Sequence, residues 1–390
     1  MKEDSIYLDY AATSPVDRRV VLAMSRALTL DGAFANPSST HAQGVAALRL
    51  VEAARTQIAE RVGAQPEGIV LTSGATEANN LALAGVLAAA PADRRHIVTT
   101  RIEHKSVLDT LRSLERSGRC TAAYVPCGPH GSVAVQDVID AVRPSTALVS
   151  VMHVNNETGA VQDVEALAAA CRARGVLLHV DAAQSVGKLP VELERWGVDL
   201  CSLTAHKLCG PKGIGALYVR RGLELEPLLH GGEQQGGLRP GTLPTHQIVG
   251  MGEAYRLADP AADGPALARL KARLWTGLAS IEHVRLNGDS AAGAPHILNV
   301  AFSGVDAESL RLAIRGIAVS AGSACMAASA EASHVLSNMG LSAARASSSL
   351  RFSVGRFTDG REIDRAAERV AAEVARLRAL ASSAPLWCRT

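Results

Sequence analysis

The distribution of apolar residues divides the chain into two regions with different periodicities. From about Ile69 to Val219, short apolar runs alternate with amphipathic helical patterns. The runs predict strands at Ile69–Thr72, His96–Thr100, Thr121–Val125, Ala147–His153, Val176–Val180, Asp199–Leu203 and Ala216–Val219, and the patterns between them predict helices at Thr76–Ala89, Lys105–Ser117, Val135–Val142 and Asp163–Arg174. Because such runs are typical of strands buried on both faces, we expect a mostly parallel, seven-stranded sheet in an α/β fold.

The pattern changes after residues 231–244, a stretch rich in glycine and proline. A long amphipathic helix is predicted at about Pro265–Ile281, followed by a strand at Ile297–Phe302. The remaining elements are a helix at Ala307–Arg315, a short strand at Ile317–Ser320, a strand near Leu350–Val354 and a last helix from Glu362. This order of elements predicts a smaller α+β region in the C-terminal part of the chain.

Two polar residues stand at the ends of apolar runs in the first region. Asp181 ends the run 176–180, and Lys207 comes shortly after the run 198–203 and before a glycine-rich turn. Ligands of open α/β sheets bind at the carboxyl ends of strands. A lysine there can form an imine with the aldehyde of pyridoxal phosphate, and an aspartate can keep the pyridine nitrogen protonated. The pair therefore predicts a site for this cofactor.

Donors for the cofactor phosphate are predicted near the same strand ends. Residues 73–76 (Ser-Gly-Ala-Thr) join a strand to a helix, and a small turn at a helix N-terminus leaves backbone N–H groups free for an anion. Taken alone, this turn is more simply interpreted as a plain helix cap. Further donors flank Lys207 and could reach the same phosphate. This convergence favours a phosphate site formed by Ala75, Thr76, Thr204 and His206.

His104 and Gln184 each have two interpretations. His104 follows a strand-to-helix turn, where its flat imidazole could stack on a pyridine ring and move protons near neutral pH. A histidine that only caps the helix is equally compatible with this spacing. Gln184 follows Asp181 in the next turn and could donate to the phenol oxygen of the cofactor. By itself it is only a polar loop residue.

Arg351 and Cys325 are the candidates for handling the substrate. Arg351 lies in an otherwise apolar strand, and a buried arginine needs an anionic partner. A substrate carboxylate would suit its guanidinium, although a structural ion pair is the commoner case. Cys325 lies among the small residues 321–330, which have little surface to bury and predict a mobile loop with a reactive thiol. A buried, inert cysteine is the alternative.

Composition and charge narrow the class of protein. The chain has 390 residues, enough for two domains, and a net charge of only +2, which gives no basic surface for nucleic acid or a membrane. Its seven cysteines are odd in number and lack C-x-x-C spacing, which argues against a disulfide framework or a zinc ribbon. No apolar stretch is long enough to span a bilayer, and the first residues lack an apolar signal core. We therefore expect a reducing, cytoplasmic setting.

With these residues assembled, the chain resembles the NifS/IscS-type cysteine desulfurases of aminotransferase class V, most of all the IscS-like branch. The similarity extends nearly from end to end, from residues 7–13 (Tyr-Leu-Asp-Tyr-Ala-Ala-Thr) to residues 385–387 (Pro-Leu-Trp). The motifs between them are Asn36-Pro37-Ser38-Ser39, Thr72-Ser73-Gly74-Ala75-Thr76-Glu77, Glu103-His104-Lys105, His153-Val154-Asn155-Asn156-Glu157, His179-Val180-Asp181-Ala182-Ala183-Gln184-Ser185-Val186-Gly187, His206-Lys207, Gly241-Thr242-Leu243-Pro244 and the segment 245–255 after it, Gly322-Ser323-Ala324-Cys325 and Arg351-Phe352-Ser353.

The resemblance implies a fold and a set of residue roles. The fold is the fold-type I architecture of pyridoxal phosphate enzymes, with a large α/β domain at 16–255 and a small α+β domain made of 1–15 and 256–390, which carries the cysteine loop at about 321–333. Toward the cofactor, the resemblance implies a covalent link for Lys207, pairing with the pyridinium for Asp181 and with the phenolate for Gln184, and stacking for His104. It implies phosphate binding for Thr76, Thr204 and His206, and phosphate binding in the partner of a homodimer for Thr242. Toward the substrate, it implies carboxylate binding for Asn155 and Arg351 and sulfur acceptance for Cys325.

The resemblance also implies a reaction and partners. L-cysteine would yield L-alanine and a persulfide on Cys325, with Lys207 and His104 moving protons. The sulfur would pass to an iron–sulfur scaffold, where Cys325 could be a transient cluster ligand, to a tRNA-thiolation carrier or to a DNA-sulfur-modification partner. The chain stops at Thr390, without the C-terminal tail with which IscS-type relatives dock a scaffold, so the acceptor stays open.

Three other functions are compatible with parts of the pattern. A selenocysteine lyase would share the cofactor site and differ in its preference for selenocysteine over cysteine. Another class V transaminase would need no thiol at position 325. A non-catalytic scaffold for sulfur-carrying partners would not need the intact set of Lys207, Asp181, His104 and Cys325. We therefore expect a cysteine desulfurase.

Overall fold

The secondary structure alternates between strands and helices as the sequence predicts. The computed structural model describes residues 5–289, 292–321 and 333–383. The strands are β1 (Ile6–Tyr7), β2 (Ile69–Thr72), β3 (His96–Thr100), β4 (Thr121–Val125), β5 (Thr146–Met152), β6 (Leu177–Asp181), β7 (Leu200–Thr204), β8 (Gly215–Val219), β9 (Val284–Asn287), β10 (Ile297–Phe302), β11 (Ile317–Ala318) and β12 (Ser349–Ser353). The helices are α1 (Arg18–Ser25), α2 (Ala42–Arg61), α3 (Ala75–Ala89), α4 (Lys105–Arg116), α5 (Val135–Asp140), α6 (Val164–Ala173), α7 (Leu193–Trp196), α8 (Thr245–Arg256), α9 (Pro260–Ala279), α10 (Ala307–Ala313), α11 (His334–Asn338), α12 (Ala343–Ser347) and α13 (Gly360–Ser383).

The central layer is a seven-stranded sheet with the order β2-β8-β7-β6-β5-β3-β4. Only β8 runs antiparallel to its neighbours, so the mostly parallel sheet expected from the sequence is confirmed. Alternate residues of β5 enter separate cores on the two faces. Val149 and Val151 belong to one core with residues of α2 and α8, and Leu148 belongs to another with residues of α3 and α4. Burial on both faces explains the continuous apolar runs.

A second, antiparallel sheet has the order β12-β10-β9. Its core includes Phe302 and Phe352, whose rings make an edge-to-face contact with centroids 6.4 Å apart. Residues of α9 and α13 cover this core, and Ile6 and Leu8 from the start of the chain enter it as well. The first residues are therefore part of the same packing unit as the C-terminal elements.

Several element bounds differ from the sequence-based expectations. The helix expected from Pro265 begins at Pro260, because Asp259 caps it by accepting hydrogen bonds from the N–H groups of the next turn. The sequence analysis did not identify α1, α2 or α8 as helices. Among the residues that the structure describes, no helix combines the length and the apolar character needed to cross a membrane.

Candidate active site

A cavity of about 450 Å³ lies at the carboxyl ends of the central strands. This volume is in the range of small-molecule and cofactor sites. The sequence-predicted residues on its wall are Ala75, Thr76, His104, Asp181, Gln184, Thr204, His206, Lys207 and Arg351. Neither Asn155 nor Thr242 lines it, and Cys325 lies outside the described residues.

Asp181 and Lys207 reach this cavity because of the order of the strands. β6 ends at Asp181, and its parallel neighbour β7 ends at Thr204, three residues before Lys207. The register pairs Asp181 with Ser202, so the two strand ends lie side by side. A carboxylate and an amine separated by 26 positions in the chain are thereby brought to one cavity.

Asp181 is connected to His104 by a chain of hydrogen bonds. Its carboxylate accepts from the side-chain amide of Asn79 at 2.8 Å and from the N–H of Ala183 at 2.9 Å. The same amide donates to the hydroxyl of Ser106 at 2.7 Å, and this hydroxyl is 2.8 Å from Nδ1 of His104. Asn79 is fully buried on α3 and was not predicted as a site residue. The only signal in the sequence is a polar residue among the apolar positions of that helix.

His104 both caps α4 and lines the cavity. Its Nδ1 accepts from the N–H of Ser106 at 3.1 Å. Burial lowers the pKa of the imidazole, and the positive charge of Lys207 lowers it further. The ring is therefore neutral at pH 7, and its other nitrogen, Nε2, carries the hydrogen.

The N-terminus of α3 offers an anion site formed by the backbone. Gly74 precedes the helix, and no side chain caps it, which leaves the first N–H groups, those near Ala75 and Thr76, directed at the cavity wall. The neighbouring strand β8 approaches this turn closely. A Cβ on Gly215 would lie 2.5 Å from the carbonyl oxygen of Leu203 and 2.6 Å from Cα of Gly74, so only glycine fits there.

Thr204 offers a further hydrogen-bonding group at this end of the cavity. Its hydroxyl is buried and has no hydrogen-bond partner among the described residues, although buried polar groups are normally bonded. Lys207, His206 and Lys212 lie on the same wall. Burial, followed by the charge of Lys207, lowers the pKa of His206 to about 4, so its ring is neutral. A partnerless hydroxyl, bare helix N–H groups and two lysines fit the phosphate of pyridoxal phosphate.

Arg351 has both an ion pair and a place on the cavity wall. It is almost fully buried, and its guanidinium donates to Asp9 at 2.8 Å, to the carbonyl of Asn156 at 2.8 Å and to the hydroxyl of Ser320 at 3.2 Å. Its Nε is buried without a partner among the described residues. The ion pair with Asp9 supports the arginine, and the remaining donor capacity is available to a ligand.

Asn155 is used within its own turn. Its side-chain nitrogen donates to the carbonyl of Ile102 at 3.0 Å, and its oxygen accepts from the N–H groups of Glu157 and Thr158. The next residue, Asn156, lines the cavity instead. Of these two consecutive asparagines, Asn155 stabilises the turn and Asn156 lines the cavity.

Gln184 and Thr242 occupy different surroundings. The amide nitrogen of Gln184 donates to the carbonyl of Ala11 at 2.8 Å, and its oxygen lies 3.4 Å from Nε2 of His296. These contacts fix the amide in the cavity wall. Thr242 lies in the segment before α8, away from the cavity of its own chain.

Glu103 is a buried acid directly before His104. Its Oε1 accepts from the hydroxyl of Thr100 at 2.7 Å and from the N–H of Met152 at 3.0 Å, and its Oε2 has no partner among the described residues. Burial raises the pKa of this carboxyl to about 8, and the charge of Asp181 adds to the effect. Glu103 is therefore neutral at pH 7 in the folded chain.

Residues 6–366 match the family model described as Aminotransferase class-V. The chain belongs to this family. Its pyridoxal phosphate cofactor, expected from Lys207 and Asp181, follows from that membership together with the similarity to cysteine desulfurases.

Individual relatives narrow the enzyme class. The chain is 53% identical to the cysteine desulfurase IscS of Pectobacterium carotovorum over 98% of its own length and 95% of that protein. A solved structure of a NifS-like protein matches with a TM-score of 0.89 and 33% identity, over 95% of this chain and 99% of that one. SspA in complex with cysteine matches with a TM-score of 0.81 and 38% identity, over 90% and 99%. The expected fold and the expected cysteine desulfurase class are confirmed.

Proposed function

We propose that this chain transfers the sulfur of L-cysteine to Cys325 and releases L-alanine, with pyridoxal phosphate bound in the cavity described above. The observation that carries the proposal is the juxtaposition of Lys207, Asp181 and the partnerless hydroxyl of Thr204 on one cavity wall. The cysteine bound in the related SspA structure supports the choice of substrate.

When bound, the cofactor supplies an aldehyde that an amine can capture and a ring that accepts electrons from Cα of the substrate. Lys207 would hold the aldehyde carbon, and Asp181 would keep the pyridine nitrogen protonated. The remaining assignments are Gln184 to the phenol oxygen, His104 to the ring face, and Ala75, Thr76, Thr204 and His206 to the phosphate. The hydrogen bond from Asn79 holds the carboxylate of Asp181 in place on the cavity wall.

The protein side chains then move protons at defined atoms of the substrate. The amine of Lys207, once released, removes the proton from Cα of cysteine. His104 would transfer a proton at the substrate thiol or at Cβ through Nε2, the ring nitrogen that does not cap α4. Arg351 binds the carboxylate through donors that its contact with Asp9 leaves over. Asn155 stays a predicted carboxylate ligand.

Sulfur transfer requires the thiolate of Cys325 at the substrate sulfur. A sulfur–sulfur bond forms, the Cβ–sulfur bond breaks, and the electron pair left on carbon takes a proton to give alanine. The last described residue before Cys325 is Ala321, whose neighbour Ser320 lies 3.2 Å from the guanidinium of Arg351. Four further residues span at most about 14 Å when extended. This chain length is compatible with the approach of Cys325 to the substrate.

We propose that the active unit is a homodimer. A patch of exposed apolar side chains on α1 and the segment after it would be covered by a second copy, and it consists of Val21, Leu22, Leu28, Leu30 and Phe34. Thr242, which does not line the cavity of its own chain, would bind the phosphate in the partner. Light scattering of the purified chain tests this, and a monomer at working concentration would contradict it.

The domain division, setting and acceptor belong to the same proposal. We place the large domain at 16–255 and the small domain at 1–15 and 256–390, in keeping with the apolar core that joins Ile6 and Leu8 to the C-terminal elements. The five cysteines in the described part of the chain are all unpaired, which suits a reducing cytoplasm. As acceptor we propose an iron–sulfur assembly scaffold, because of the similarity to IscS.

Replacement of Cys325 by alanine tests the central step. We expect Cys325→Ala to retain the cysteine-dependent change in cofactor absorbance, which needs only Lys207 and Asp181, and to lose alanine release at least about 100-fold. The matched control is Cys127→Ala, because this half-buried thiol donates to the carbonyl of Asn338 and does not line the cavity. Alanine release at the parent rate by Cys325→Ala would refute the persulfide step.

A further inference from the structure

Lys188 is a buried lysine that the proposed reaction does not use. It lies in the turn after β6 and is 7% exposed. Its Nζ donates a hydrogen bond of 2.9 Å to the backbone carbonyl of Lys207. A side chain distant in sequence therefore holds the main chain of the residue that would bind the cofactor.

The other backbone groups around Lys207 are held as well. The carbonyl of His206 accepts from the hydroxyl of Ser14 at 2.6 Å, and that hydroxyl accepts from the N–H of Cys209 at 2.7 Å. The carbonyl of Cys209 accepts from the N–H of Asp17 at 2.9 Å. Cys209 has a φ of 57°, a left-handed conformation that a side chain of this type rarely adopts. Hydrogen bonds to neighbouring segments thus fix the backbone of the Lys207 turn. Among the three residues that make these bonds, Ser14, Asp17 and Lys188, only Lys188 is a cation.

The turn that carries Lys188 also packs directly on the Lys207 turn. Gly187 has a φ of 75°, and a Cβ there would lie 2.2 Å from Cδ1 of Leu208. Glycine permits this approach, which places the Lys188 backbone one residue from the contact. The two turns therefore pack in direct contact.

Lys188 and Lys207 also interact through their charges. Burial lowers the pKa of Lys188 to about 7, and the charge of Lys207 is the next largest cause. Because repulsion between two charges is mutual, a protonated Lys188 makes protonation of Lys207 less favourable. The other titratable or charged groups that interact with Lys188 are Cys209, Arg356, Asp263, His206 and His296.

From this geometry we infer that Lys188 is a positioning residue for Lys207, which fixes its backbone and disfavours a proton on its side-chain nitrogen. The inference rests on the proposed function, because it concerns the nitrogen that binds the cofactor. The charge of a protonated Lys188 acts on that nitrogen from outside the wall of the cavity. A nitrogen that carries no proton is the form that can take one from the substrate.

The test is a pH titration of the absorbance of the bound cofactor in the full-length, cofactor-loaded protein. Lys188→Gln keeps a hydrogen-bond donor and removes the charge, and Lys188→Met removes both. For both variants we expect the pKa of the Lys207–cofactor link to rise by roughly 0.5–1.5 pH units. Lys188→Arg keeps its charge at every pH, whereas Lys188 loses its proton near pH 7, so the Arg variant should titrate at or below the pKa of the parent. Turnover should fall about tenfold in Lys188→Met, with KM changed less than about threefold.

Lys271 provides the matched control. It is also 7% exposed, its Nζ donates to the carbonyl of Ala294 at 2.8 Å, and it does not line the cofactor cavity. Lys271→Gln should leave the absorbance titration unchanged, whatever it does to the melting temperature.

The outcomes separate this inference from the proposed function. A parent protein without a cofactor band would contradict the function itself. If the parent shows a normal band and both Lys188→Gln and Lys188→Met titrate at the pKa of the parent, the role of Lys188 alone is overturned. Equal shifts in the Lys188 and Lys271 variants would also overturn it, because they would reflect general loosening of the fold. Should Lys188→Met fail to fold, Lys188→Gln gives the decision.

Discussion

Two strand-to-helix turns at the same edge of the central sheet differ in how their helices begin. The turn from β2 to α3 ends in Gly74 and small residues, and no side chain caps the helix. The turn from β3 to α4 ends in His104, whose Nδ1 caps the helix by accepting from Ser106. The same topology thus presents bare N–H groups to an anion in one case and an aromatic ring to the cavity in the other. The capping residue decides which part of a cofactor each turn can contact.

The two turns are also connected to each other. Asn79 on α3 donates to Ser106 on α4 and to Asp181 on β6, at 2.7 and 2.8 Å. The phosphate end and the ring end of the site are therefore joined by one buried amide. Substitutions at the first residues of α3 and α4 can therefore be compared in a protein in which this link is intact.

The largest effect is expected from reversing the electrostatics of the uncapped turn. An aspartate at position 75 would place a negative charge where the phosphate is proposed to bind. We expect Ala75→Asp to weaken cofactor affinity at least about 100-fold, because like charges a few ångströms apart repel strongly in a partly buried site. The cofactor-free protein should be as stable as the parent or slightly more so, since an acidic residue suits a helix N-terminus. Fluorescence titration with the cofactor and thermal melts measure both.

Lys105→Asp is the control, because Lys105 is the first residue of α4 as Ala75 is of α3, and it does not line the cavity. Its cofactor affinity should stay within about threefold of the parent. Equal losses in the two variants would show that net charge alone, and not the bare N–H groups of α3, governs binding.

A smaller effect is expected from cutting the link between the turns. Asn79→Leu removes the donor to Asp181 and to Ser106, so the free energy of unfolding should fall by about 1–3 kcal/mol. Turnover should fall about tenfold, because Asp181 and His104 lose their shared support. Asn80→Ala is the control, since the hydrogen bonds of the Asn80 side chain within the described part of the chain go to Thr76 and Thr110. Equal kinetics in the two variants would mean that the link has no role in catalysis.

The last prediction concerns stability alone, at the acid that precedes the capped turn. Glu103 has a raised pKa, about 8, so the folded chain keeps its proton while the unfolded chain loses it above about pH 4.5. Its contribution to stability is therefore complete at pH 4.5 and is lost as the pH rises through 8. Glu103→Gln should remove this loss, so that between pH 5 and 8 the variant gains roughly 2–4 kcal/mol relative to the parent. Urea unfolding at several pH values measures the difference.

The comparison with Glu103→Gln isolates one group, because His153 and His206 titrate in both proteins. Burial lowers the pKa of each to about 4, which makes the fold less stable as the pH falls below 6.5. This acid-side loss should be equal in parent and variant. Stability curves that run parallel from pH 5 to 8 would show that Glu103 is ionised in the fold.

The sequence predicted the parts of the site that depend on single strands. Asp181 and Lys207 could be placed because an apolar run marks a strand and its end marks the sheet edge. Contacts between elements could not be read in this way. Asn79 looks like an ordinary helical residue until α4 and β6 are packed beside it. The place of Asn156 on the cavity wall depends on the path of a turn, which the sequence does not reveal.

Helix α2 was not predicted because its two faces differ little in hydrophobicity. The buried face of α2 consists largely of small residues, Gly44, Ala47, Val51, Ala54 and Ile58, so it contrasts little with the exposed face. A periodic pattern is visible only where large apolar residues alternate with polar ones. In a chain with 3% aromatic residues, close packing of small side chains hides such helices.

The ion pair between Asp9 and Arg351 joins two residues from opposite ends of the chain. During synthesis the ribosome releases the first of them early and the second only when most of the polypeptide has been made. A nascent chain that has formed the central sheet still lacks the guanidinium beside the cavity. The wall of the cavity is thus completed late in translation, when β12 packs beside the first residues of the chain.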